Sequence, residues 1–261
     1  MDMEGGVAIV TGSSSGVGAA CARQFAELGA HVVVNYANNE AGAQATASAC
    51  QALGVETIVL RADVAADDDC RRMVDAAVQK WGRVDALVNN AGTTKFCAHD
   101  DLEGLSAADF QHIYGVNTIG AFQMTRAVVP HMKRGGRGAI VNVASVAGIM
   151  GVGSSIAYAA SKGALITMTL SLARVLGPEV RVNVVCPGFI QGDWLEAGLG
   201  KDRYDRAKAA LEASAPLRVT ATADSVAQAI LYFVVGADIV TGESLILDGG
   251  NHLLTVPMTR R

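Results

Sequence analysis

Two side chains in the segment A-Y-A-A-S-K-G-A-L could together move a proton. Tyr158 and Lys162 are four residues apart, so in a helix they lie on one face, a turn from each other. A lysine cation near a phenol favours the phenolate, and we therefore expect Lys162 to lower the pKa of Tyr158 toward neutral pH. Such a tyrosine can act as a general acid or base. Ser145, at the end of a predicted strand, could hydrogen-bond the same substrate oxygen.

The neighbours of Tyr158 are small. A Tyr–Lys pair on a helix surface is common and is the alternative interpretation. Small neighbours would let a ligand approach the phenol closely, and these are Ala157, Ala159, Ala160, Ser161 and Gly163. They favour a reactive site over a surface pair.

A second feature is a run of glycines near the start of the chain, in I-V-T-G-S-S-S-G-V-G-A-A. Its three glycines separate an apolar run from an alanine-rich segment of helical composition. A helix N-terminus offers unpaired N–H groups and a partial positive charge, so a phosphate is the leading candidate ligand. The spacing is Gly-x-x-x-Gly-x-Gly and not the common dinucleotide fingerprint, so an ordinary tight turn remains open at this point.

The elements that must position these residues alternate regularly along the chain. The predicted strands cover 7–11, 31–36, 57–61, 86–89, 139–143, 181–185 and 244–247, and the predicted helices cover 17–28, 40–52, 67–80, 106–133, 156–176, 202–214 and 223–235. Several strands are apolar on both faces, as parallel strands covered by helices are. This predicts an α/β fold in which residues 1–261 form one doubly wound, Rossmann-type domain with a seven-stranded parallel sheet flanked by helices.

In such a sheet, ligands bind beyond the carboxyl ends of the strands, near the point where the strand order reverses. Small and polar residues follow the predicted strands at that edge: Gly12–Gly18, then Tyr36, Ala37 and Asn38, then Asp63 and Val64, then Asn90, Ala91 and Gly92, then Ser145, and finally Pro187 and Gly188. Their convergence on one edge favours a nucleotide crevice.

Composition argues against several other functions. The chain is 51% hydrophobic and 18% charged with a net charge of −4, so it has no basic footprint for nucleic acid or a membrane surface. Its acidic start does not resemble a signal peptide, and we expect no membrane-spanning helix. The five cysteines and five histidines are not at ligand spacing, which predicts no metal site and reduced thiols in a cytoplasmic protein.

Taken together and in order, these motifs resemble those of the short-chain dehydrogenase/reductase family over nearly the whole chain. The pattern is most similar to the 3-oxoacyl-[acyl-carrier-protein] reductases, with glucose-type polyol dehydrogenases close behind. The matching residues are Thr11-Gly12-x-x-x-Gly16-x-Gly18, Asp63, Asn89-Asn90-Ala91-Gly92, Asn117, Ser145, Tyr158-x-x-x-Lys162, Pro187-Gly188, Val240-Thr241-Gly242 and Asp248-Gly249-Gly250.

The resemblance implies a role for each matching residue. Tyr158 would exchange a proton with the substrate oxygen, Lys162 would hold the nicotinamide ribose, and Ser145 would orient the carbonyl. Asn117 would distort its helix and hold a water that relays protons to the lysine. The implied cofactor set is Gly12, Ser14, Ser15, Gly16, Val17 and Gly18 at the pyrophosphate, Asp63 and Val64 at the adenine, and Asn90, Ala91 and Gly92 on the ribose side. Tyr36, Ala37, Asn38, Tyr158, Lys162, Pro187, Gly188 and Ile190 complete it.

Two departures from the family pattern matter. Gly192 stands where the family often has a threonine that touches the nicotinamide amide, which leaves Gln191 or Asp193 as substitutes. Tyr36 stands where an acidic residue would bind the ribose 2′-hydroxyl of NAD. NADP is therefore the favoured cofactor, although no Arg or Lys occurs at Ser15 or in 37–39, and NAD stays open.

Three stretches should determine the substrate: 93–105, 146–155 and 189–216. The last suits a mobile lid over the site, although its second half could equally be an amphipathic surface helix with a packed apolar face. The uncharged residues 146–153 favour a ketone on an apolar chain over a polyol, because buried hydroxyls would go unpaired. Lys95, His99 and Lys201 could meet an acidic tail of the substrate. We therefore expect NADPH-dependent reduction of a 3-oxoacyl thioester or a similar ketone.

Polyol or glucose oxidation is the alternative activity. A non-catalytic dinucleotide-binding protein would be expected to lose Tyr158 or Lys162, and a sugar-nucleotide epimerase would need a larger C-terminal region. We also expect a homotetramer, because the predicted helices 106–133 and 156–176 contain apolar stretches that family members pair across a two-fold axis: Ile113, Val116, Phe122 and Val128, then Ile166, Met168, Leu170 and Leu172. The region 245–254 would form a second interface.

Overall fold

The computed structural model describes residues 1–254, in which seven parallel strands form one sheet in the order β3-β2-β1-β4-β5-β6-β7. The strands are β1 (Val7–Val10), β2 (His31–Tyr36), β3 (Thr57–Arg61), β4 (Ala86–Asn89), β5 (Gly138–Val143), β6 (Val180–Pro187) and β7 (Ser244–Leu247). The helices are α1 (Gly16–Glu27), α2 (Glu40–Gln51), α3 (Asp67–Trp81), α4 (Ala107–Tyr114), α5 (Ala121–Arg134), α6 (Ala147–Met150), α7 (Ile156–Leu176), α8 (Asp193–Leu199), α9 (Lys201–Ser214) and α10 (Ala223–Leu231).

Helices cover both faces of the sheet because its central strands are apolar on both sides. In β1, Ala8 and Val10 join a core cluster with Phe25 of α1, whereas Val7 and Ile9 join the opposite cluster with Met73 of α3. All four β1 side chains are fully buried. The predicted doubly wound fold is therefore confirmed, although residues 255–261 of the predicted domain lie outside the described part of the chain.

The strand order reverses between β1 and β4, and this places the glycine-rich segment at the crevice. β1 pairs with β2 on one side and with β4 on the other. Crossovers from β1 and β4 run in opposite directions, so their first loops separate at the carboxyl edge. The segments that follow β1, β2, β4, β5 and β6 meet along this edge.

The prediction of one regular helix over 106–133 is wrong. It forms α4 and α5 separated by a turn of π-helix, Gly115–Gly120, in which Asn117 is buried. The likeness to the family had implied a distortion at Asn117, and the structure has it there. Within this turn the Asn117 side chain bonds to residues outside its own helix, and such π-helical turns are frequent at functional sites.

The sequence analysis missed two short helices, α6 and α8. Each is one to two turns long, too short for a helical pattern to stand out in the sequence. α8 is bracketed by Gly192 (φ +146°) and Gly200 (φ +77°), backbone conformations that favour glycine. The predicted lid is therefore two helices, α8 and α9.

By length and composition alone, α7 could cross a membrane, and it is the one such helix among residues 1–254. The expectation of no membrane-spanning helix is not contradicted by this, because a core helix passes the same test of length and composition. The apolar side of α7 packs on the sheet, where Leu165 is buried with Val184 and Cys186 of β6.

Candidate active site

The glycine-rich loop fits closely between β1 and β4. Gly12 (φ +62°) leaves β1, and its N–H donates to Asn35 Oδ1 at 2.9 Å. A Cβ at Gly18 would lie 2.6 Å from Asn90 Nδ2 and 2.8 Å from Ser13 Cα, so only glycine lets α1 approach the loop this closely. The loop is therefore fixed by packing at Gly12 and Gly18.

Between these two points the backbone is open to a ligand. Ser15 is the N-cap of α1, but its side chain makes no capping hydrogen bond, and Ser15 and Gly16 are exposed. A Cβ at Gly16 would meet no atom within 4 Å. The first N–H groups of a helix have no partner inside the helix, so this end of α1 suits a pyrophosphate. Ser14 and Val17 flank it.

The side chains of Asn90 and Thr11 hold the β4 loop against the glycine loop. Asn90 Nδ2 donates to the carbonyl oxygens of Thr11 at 2.9 Å and Gly12 at 3.1 Å. Thr11 Oγ1 accepts from the N–H groups of Asn90 and Ala91, both at 3.0 Å. Ala91 and Gly92 thus face the crevice from a fixed backbone.

The outer end of the crevice is lined by residues that follow β2 and β3. Tyr36 is nearly buried, whereas Ala37 and Asn38 are exposed. Arg61, opposite Tyr36 in the sheet register, donates from Nε to the Ala37 carbonyl at 3.2 Å. Burial and the adjacent Glu40 carboxylate raise the pKa of Tyr36, and the Arg61 cation opposes them. A cation therefore lies beside the end of β2.

The remaining predicted cofactor residues lie along the same edge. Asp63 is exposed and Oδ1 accepts from the Ala65 N–H at 2.9 Å, while Val64 is buried. Pro187 and Gly188 lie where β6 leaves the sheet. Ile190 continues that strand by bridging to Ala221.

Tyr158, Ser145 and Lys162 meet at the end of β5. Burial raises the pKa of Tyr158 to about 12, and a hydrogen bond with Ser145 opposes the rise. Lys162 Nζ lies 5.6 Å from the Tyr158 ring centroid and donates to the Val143 carbonyl at 2.8 Å. Burial lowers the pKa of Lys162 to about 8. The expectation that Lys162 lowers the pKa of Tyr158 toward neutral pH is therefore wrong, because burial of the phenol dominates.

The small residues around Tyr158 serve packing. Gly163 lies against Gly148, where a Cβ on either residue would meet the other segment's backbone. Ala157 and Ala159 are buried, and Ser161 Oγ donates to the Tyr158 carbonyl at 2.7 Å. The prediction that these residues admit a ligand is wrong for the buried ones; they let the loop after Ser145 pack against α7.

Asn117 connects three parts of the site. Its Oδ1 accepts from the Thr93 N–H at 2.8 Å, and its Nδ2 donates to the Thr93 carbonyl at 3.0 Å and to Ser161 Oγ at 2.9 Å. The position of a Cβ on Gly92 would be 3.5 Å from Asn117 Oδ1 and 3.6 Å from Lys162 Nζ. Asn117 thus fixes the segment after β4 beside the lysine.

A second set of buried side-chain hydrogen bonds connects α7 to the sheet. Asn89 Nδ2 donates to Asn142 Oδ1 at 2.9 Å, and Asn142 Nδ2 donates to Thr169 Oγ1 at 2.9 Å. These bonds join β4, β5 and α7, the elements that position Asn90, Ser145 and Tyr158. Sequence reasoning noted Asn89 only as part of a motif.

The entrance to the site is apolar and aromatic. Trp194 pairs with both Phe96 and Tyr158, and Ile149 and Val152, in the segment between β5 and α7, are about half exposed. Lys95 and Lys201 form ion pairs at 2.8 Å with Asp109 and 3.0 Å with Asp205. These ion pairs argue against the prediction that Lys95 and Lys201 bind an acidic tail of the substrate.

Sequence reasoning missed three residues of the crevice: Arg61, Phe96 and Trp194 as a contact of Tyr158. Arg61 could have been found, because it ends β3 directly beside the end of β2. The two residues suggested in place of the missing threonine differ in their surroundings. Gln191 Nε2 donates to Thr220 Oγ1 at 3.0 Å, whereas Asp193 is the first residue of α8. No sequence pattern predicts that Trp194 lies over Tyr158, since this depends on how α8 closes.

Comparison with known proteins gives consistent matches over the whole site. A family model described as enoyl-(acyl carrier protein) reductase matches residues 12–252. The chain is 43% identical to ketoacyl reductase 2 of the granaticin polyketide synthase of Streptomyces violaceoruber, covering 96% of this chain and 98% of that protein.

Two solved structures are similar over nearly their full length. A short-chain dehydrogenase/reductase of Burkholderia xenovorans superposes with a TM-score of 0.88 at 37% identity, covering 95% of this chain and 98% of that one. An NAD⁺-bound xylitol dehydrogenase superposes with a TM-score of 0.88 at 28% identity, covering 96% of this chain and 100% of that one.

Proposed function

Because this chain belongs to the short-chain dehydrogenase/reductase family, we propose that it reduces the keto group of a 3-oxoacyl thioester, or of a similar ketone, with NADPH. The chain is an NAD(P)-dependent oxidoreductase acting on a carbonyl or a secondary alcohol. The observation that carries the proposal is the meeting of Tyr158 and Lys162 beside the end of β5, where Lys162 Nζ lies 5.6 Å from the Tyr158 ring centroid and donates to the Val143 carbonyl. In the direction of reduction, the protonated phenol is the group that can donate a proton to the substrate oxygen.

In this proposal the side chains of the site transfer one proton and hold the ketone oxygen of the substrate in position. Tyr158 donates its hydroxyl proton to the ketone oxygen as that oxygen gains negative charge. Ser145, whose Oγ donates to the Pro187 carbonyl at 3.4 Å in this structure, would turn its hydroxyl to donate a second hydrogen bond to the same substrate oxygen. Lys162 is cationic below about pH 8 and stabilises the phenolate that remains. When bound, the nicotinamide supplies the hydride to the ketone carbon.

The residues of the crevice fit a dinucleotide. The open backbone at the N-terminus of α1 would hold the pyrophosphate through Ser14, Ser15, Gly16, Val17 and Gly18. We propose Asp63 and Val64 at the adenine, Asn90, Ala91 and Gly92 beside the ribose, and Pro187, Gly188 and Ile190 at the nicotinamide. Asn117 and Lys162 would then complete a proton relay.

NADP is the proposed cofactor because of the charges at the end of β2. A ribose 2′-phosphate needs a donor or a cation, and Arg61 lies beside Ala37 there. The next acid along the chain after Tyr36 is Glu40, whose carboxylate raises the pKa of Tyr36. NAD is the alternative, and the NAD⁺-bound state of the similar xylitol dehydrogenase supports it.

A polyol dehydrogenase is the competing activity, supported by the same neighbour. The apolar entrance at Ile149, Val152 and Trp194 argues against it, since sugar hydroxyls bound there would be left unpaired at roughly 1–3 kcal/mol each. The named activity of the granaticin ketoacyl reductase supports a keto group.

We propose a homotetramer that works in the cytoplasm as one domain per chain, with no nucleic-acid or membrane partner. Ile119, Phe122, Leu170 and Val175 are 42–67% exposed on α7 and the π-turn–α5 segment, which supports pairing of these helices. Ile113 and Val128, which we had expected at the interface, are buried within the chain instead.

The proposal is tested by steady-state rates with two substrates. We expect consumption of NADPH with an acetoacetyl thioester, and slow or no reduction of NADP⁺ with glucose. Rapid glucose oxidation with no thioester reduction would overturn the proposed substrate class and favour the polyol alternative.

A further inference from the structure

Trp194 pairs with two other aromatic rings from separate elements, and one of these is the ring of Tyr158. The ring centroid of Trp194 in α8 lies 6.3 Å from that of Tyr158 in α7 and 5.8 Å from that of Phe96, in the segment after β4. The rings are tilted by 43° and 51°, within the range of favourable aromatic pairs. The Trp194 side chain is nevertheless 50% exposed, so much of its indole remains uncovered.

The position of α8 is determined by contacts that only small residues allow. A Cβ on Gly198 would fall inside the ring of Phe96, so α8 rests on that ring at a glycine. Tyr204 of α9 is buried and accepts a hydrogen bond from the Gly192 N–H at 3.1 Å, at the start of α8. Tyr204 also packs on Phe189, with ring centroids 5.1 Å apart. Trp194 is therefore held over the site by its neighbours on both sides.

The lysine next to Phe96 in this aromatic slot (Phe96, Tyr158 and Trp194) is already paired. Lys95, next to Phe96, bonds to Asp109 at 2.8 Å, and Ser106 donates to the same carboxylate. These bonds hold the pKa of Asp109 well below its usual range. The slot therefore offers apolar ring faces to a substrate and no free charge from Lys95.

From this geometry we propose that the aromatic slot selects ketones with a flat aromatic or conjugated group, which covers the exposed face of Trp194 while the keto oxygen meets Tyr158. This deepens the proposed function and rests on it. A flat ring gains offset stacking on Trp194 and Phe96 in addition to area burial, whereas a saturated ring of the same size gains only the burial. Trp194 and Phe96 are thus specificity-determining residues.

A matched pair of ketones tests this selection. 2-Tetralone and 2-decalone share one bicyclic carbon skeleton and a keto group at the same position, but only the first has a flat aromatic ring. We expect kcat/KM with NADPH to favour 2-tetralone, and Trp194→Leu to reduce that preference about tenfold. Trp194→Phe should retain most of the preference, and comparison with the wild type cancels the intrinsic reactivities. An unchanged preference in Trp194→Leu overturns the proposal.

A binding measurement tests the slot without turnover. The chain has two tryptophans, and Trp81 stacks on His31 with ring centroids 5.3 Å apart. Trp81→Phe leaves Trp194 as the single tryptophan and keeps a ring on His31. We expect its emission to change when 2-tetralone is added to the complex with NADP⁺, which cannot reduce it, and to change much less with 2-decalone. An equal response to both ketones contradicts the slot.

The two proposals fail in different ways. If neither ketone nor the acetoacetyl thioester is reduced, the proposed function is wrong, while the emission of Trp194 still reports whether the slot prefers the flat ketone. If the ratio of kcat/KM for the two ketones is the same in wild type and in Trp194→Leu, the proposed ketone reduction stands and only the proposed role of the aromatic slot is wrong.

Discussion

Replacing Asn117 should reveal how strongly one amide maintains the site. Asn117 is 1% exposed and makes three hydrogen bonds, two to the Thr93 backbone and one to Ser161 Oγ. Asn117→Ala leaves the N–H and the carbonyl of Thr93 unpaired, at about 1–3 kcal/mol for each buried group, and removes one donor from Ser161 Oγ, which keeps its hydrogen bond to the Tyr158 carbonyl. Because Thr93 is only partly buried and water can reach it, we expect the free energy of unfolding to fall by about 3–5 kcal/mol.

Asn117→Asp is the matched control, because it has the same shape. It can still accept from the Thr93 N–H, but as a carboxylate it cannot donate to the Thr93 carbonyl or to Ser161. At neutral pH its loss of stability should be at least as large as that of Asn117→Ala, because a buried carboxylate oxygen then faces the Thr93 carbonyl oxygen, and the loss should shrink at low pH, where a protonated acid regains one donor. Urea unfolding at two pH values measures this. If Asn117→Ala unfolds within about 1 kcal/mol of wild type, the bridging role is wrong.

Three further results are expected. Ala37→Asp should shift the kcat/KM preference toward NADH by more than about tenfold, because the new carboxylate repels a 2′-phosphate beside Arg61, whereas the neutral Ala37→Asn should not. A preference of the wild type for NADH would refute the proposal of NADP. Between pH 8 and about 10, Lys162 is protonated in the unfolded chain but not in the folded one. The unfolding free energy of wild type should therefore rise relative to that of Lys162→Met, by up to about 1.4 kcal/mol per pH unit. A difference that does not change with pH would contradict the lowered pKa of Lys162. Light scattering should give the mass of a tetramer, and a monomer at micromolar concentration would argue against the exposed faces of α5 and α7 as interfaces.

The sheet and the glycine loop were predictable from the sequence because each rests on local patterns. Strands apolar on both faces, such as 7–10, leave few alternatives to a covered parallel sheet. The residues that end each strand then fall on one edge by topology alone. This is why Gly12, Asn90 and Ser145 could be placed together before any distance was known.

The electrostatics at Tyr158 could not be predicted from the spacing of Tyr158 and Lys162. Spacing places the lysine near the phenol, but the pKa depends on how deeply both groups are buried, and burial dominates here. The aromatic slot was equally out of reach, because Phe96, Tyr158 and Trp194 are far apart in sequence. Their contact depends on the packing of α8 at Gly198.

The most direct test of the account is the turnover of Tyr158→Phe with NADPH and an acetoacetyl thioester. The substitution keeps the ring that contacts Trp194 and removes only the hydroxyl that donates the proton. We expect kcat to fall by about 10²–10⁴-fold while the affinity for NADPH, measured by titration without substrate, changes by no more than a few-fold. A variant that retains near-normal kcat would contradict the assignment of Tyr158 as the general acid.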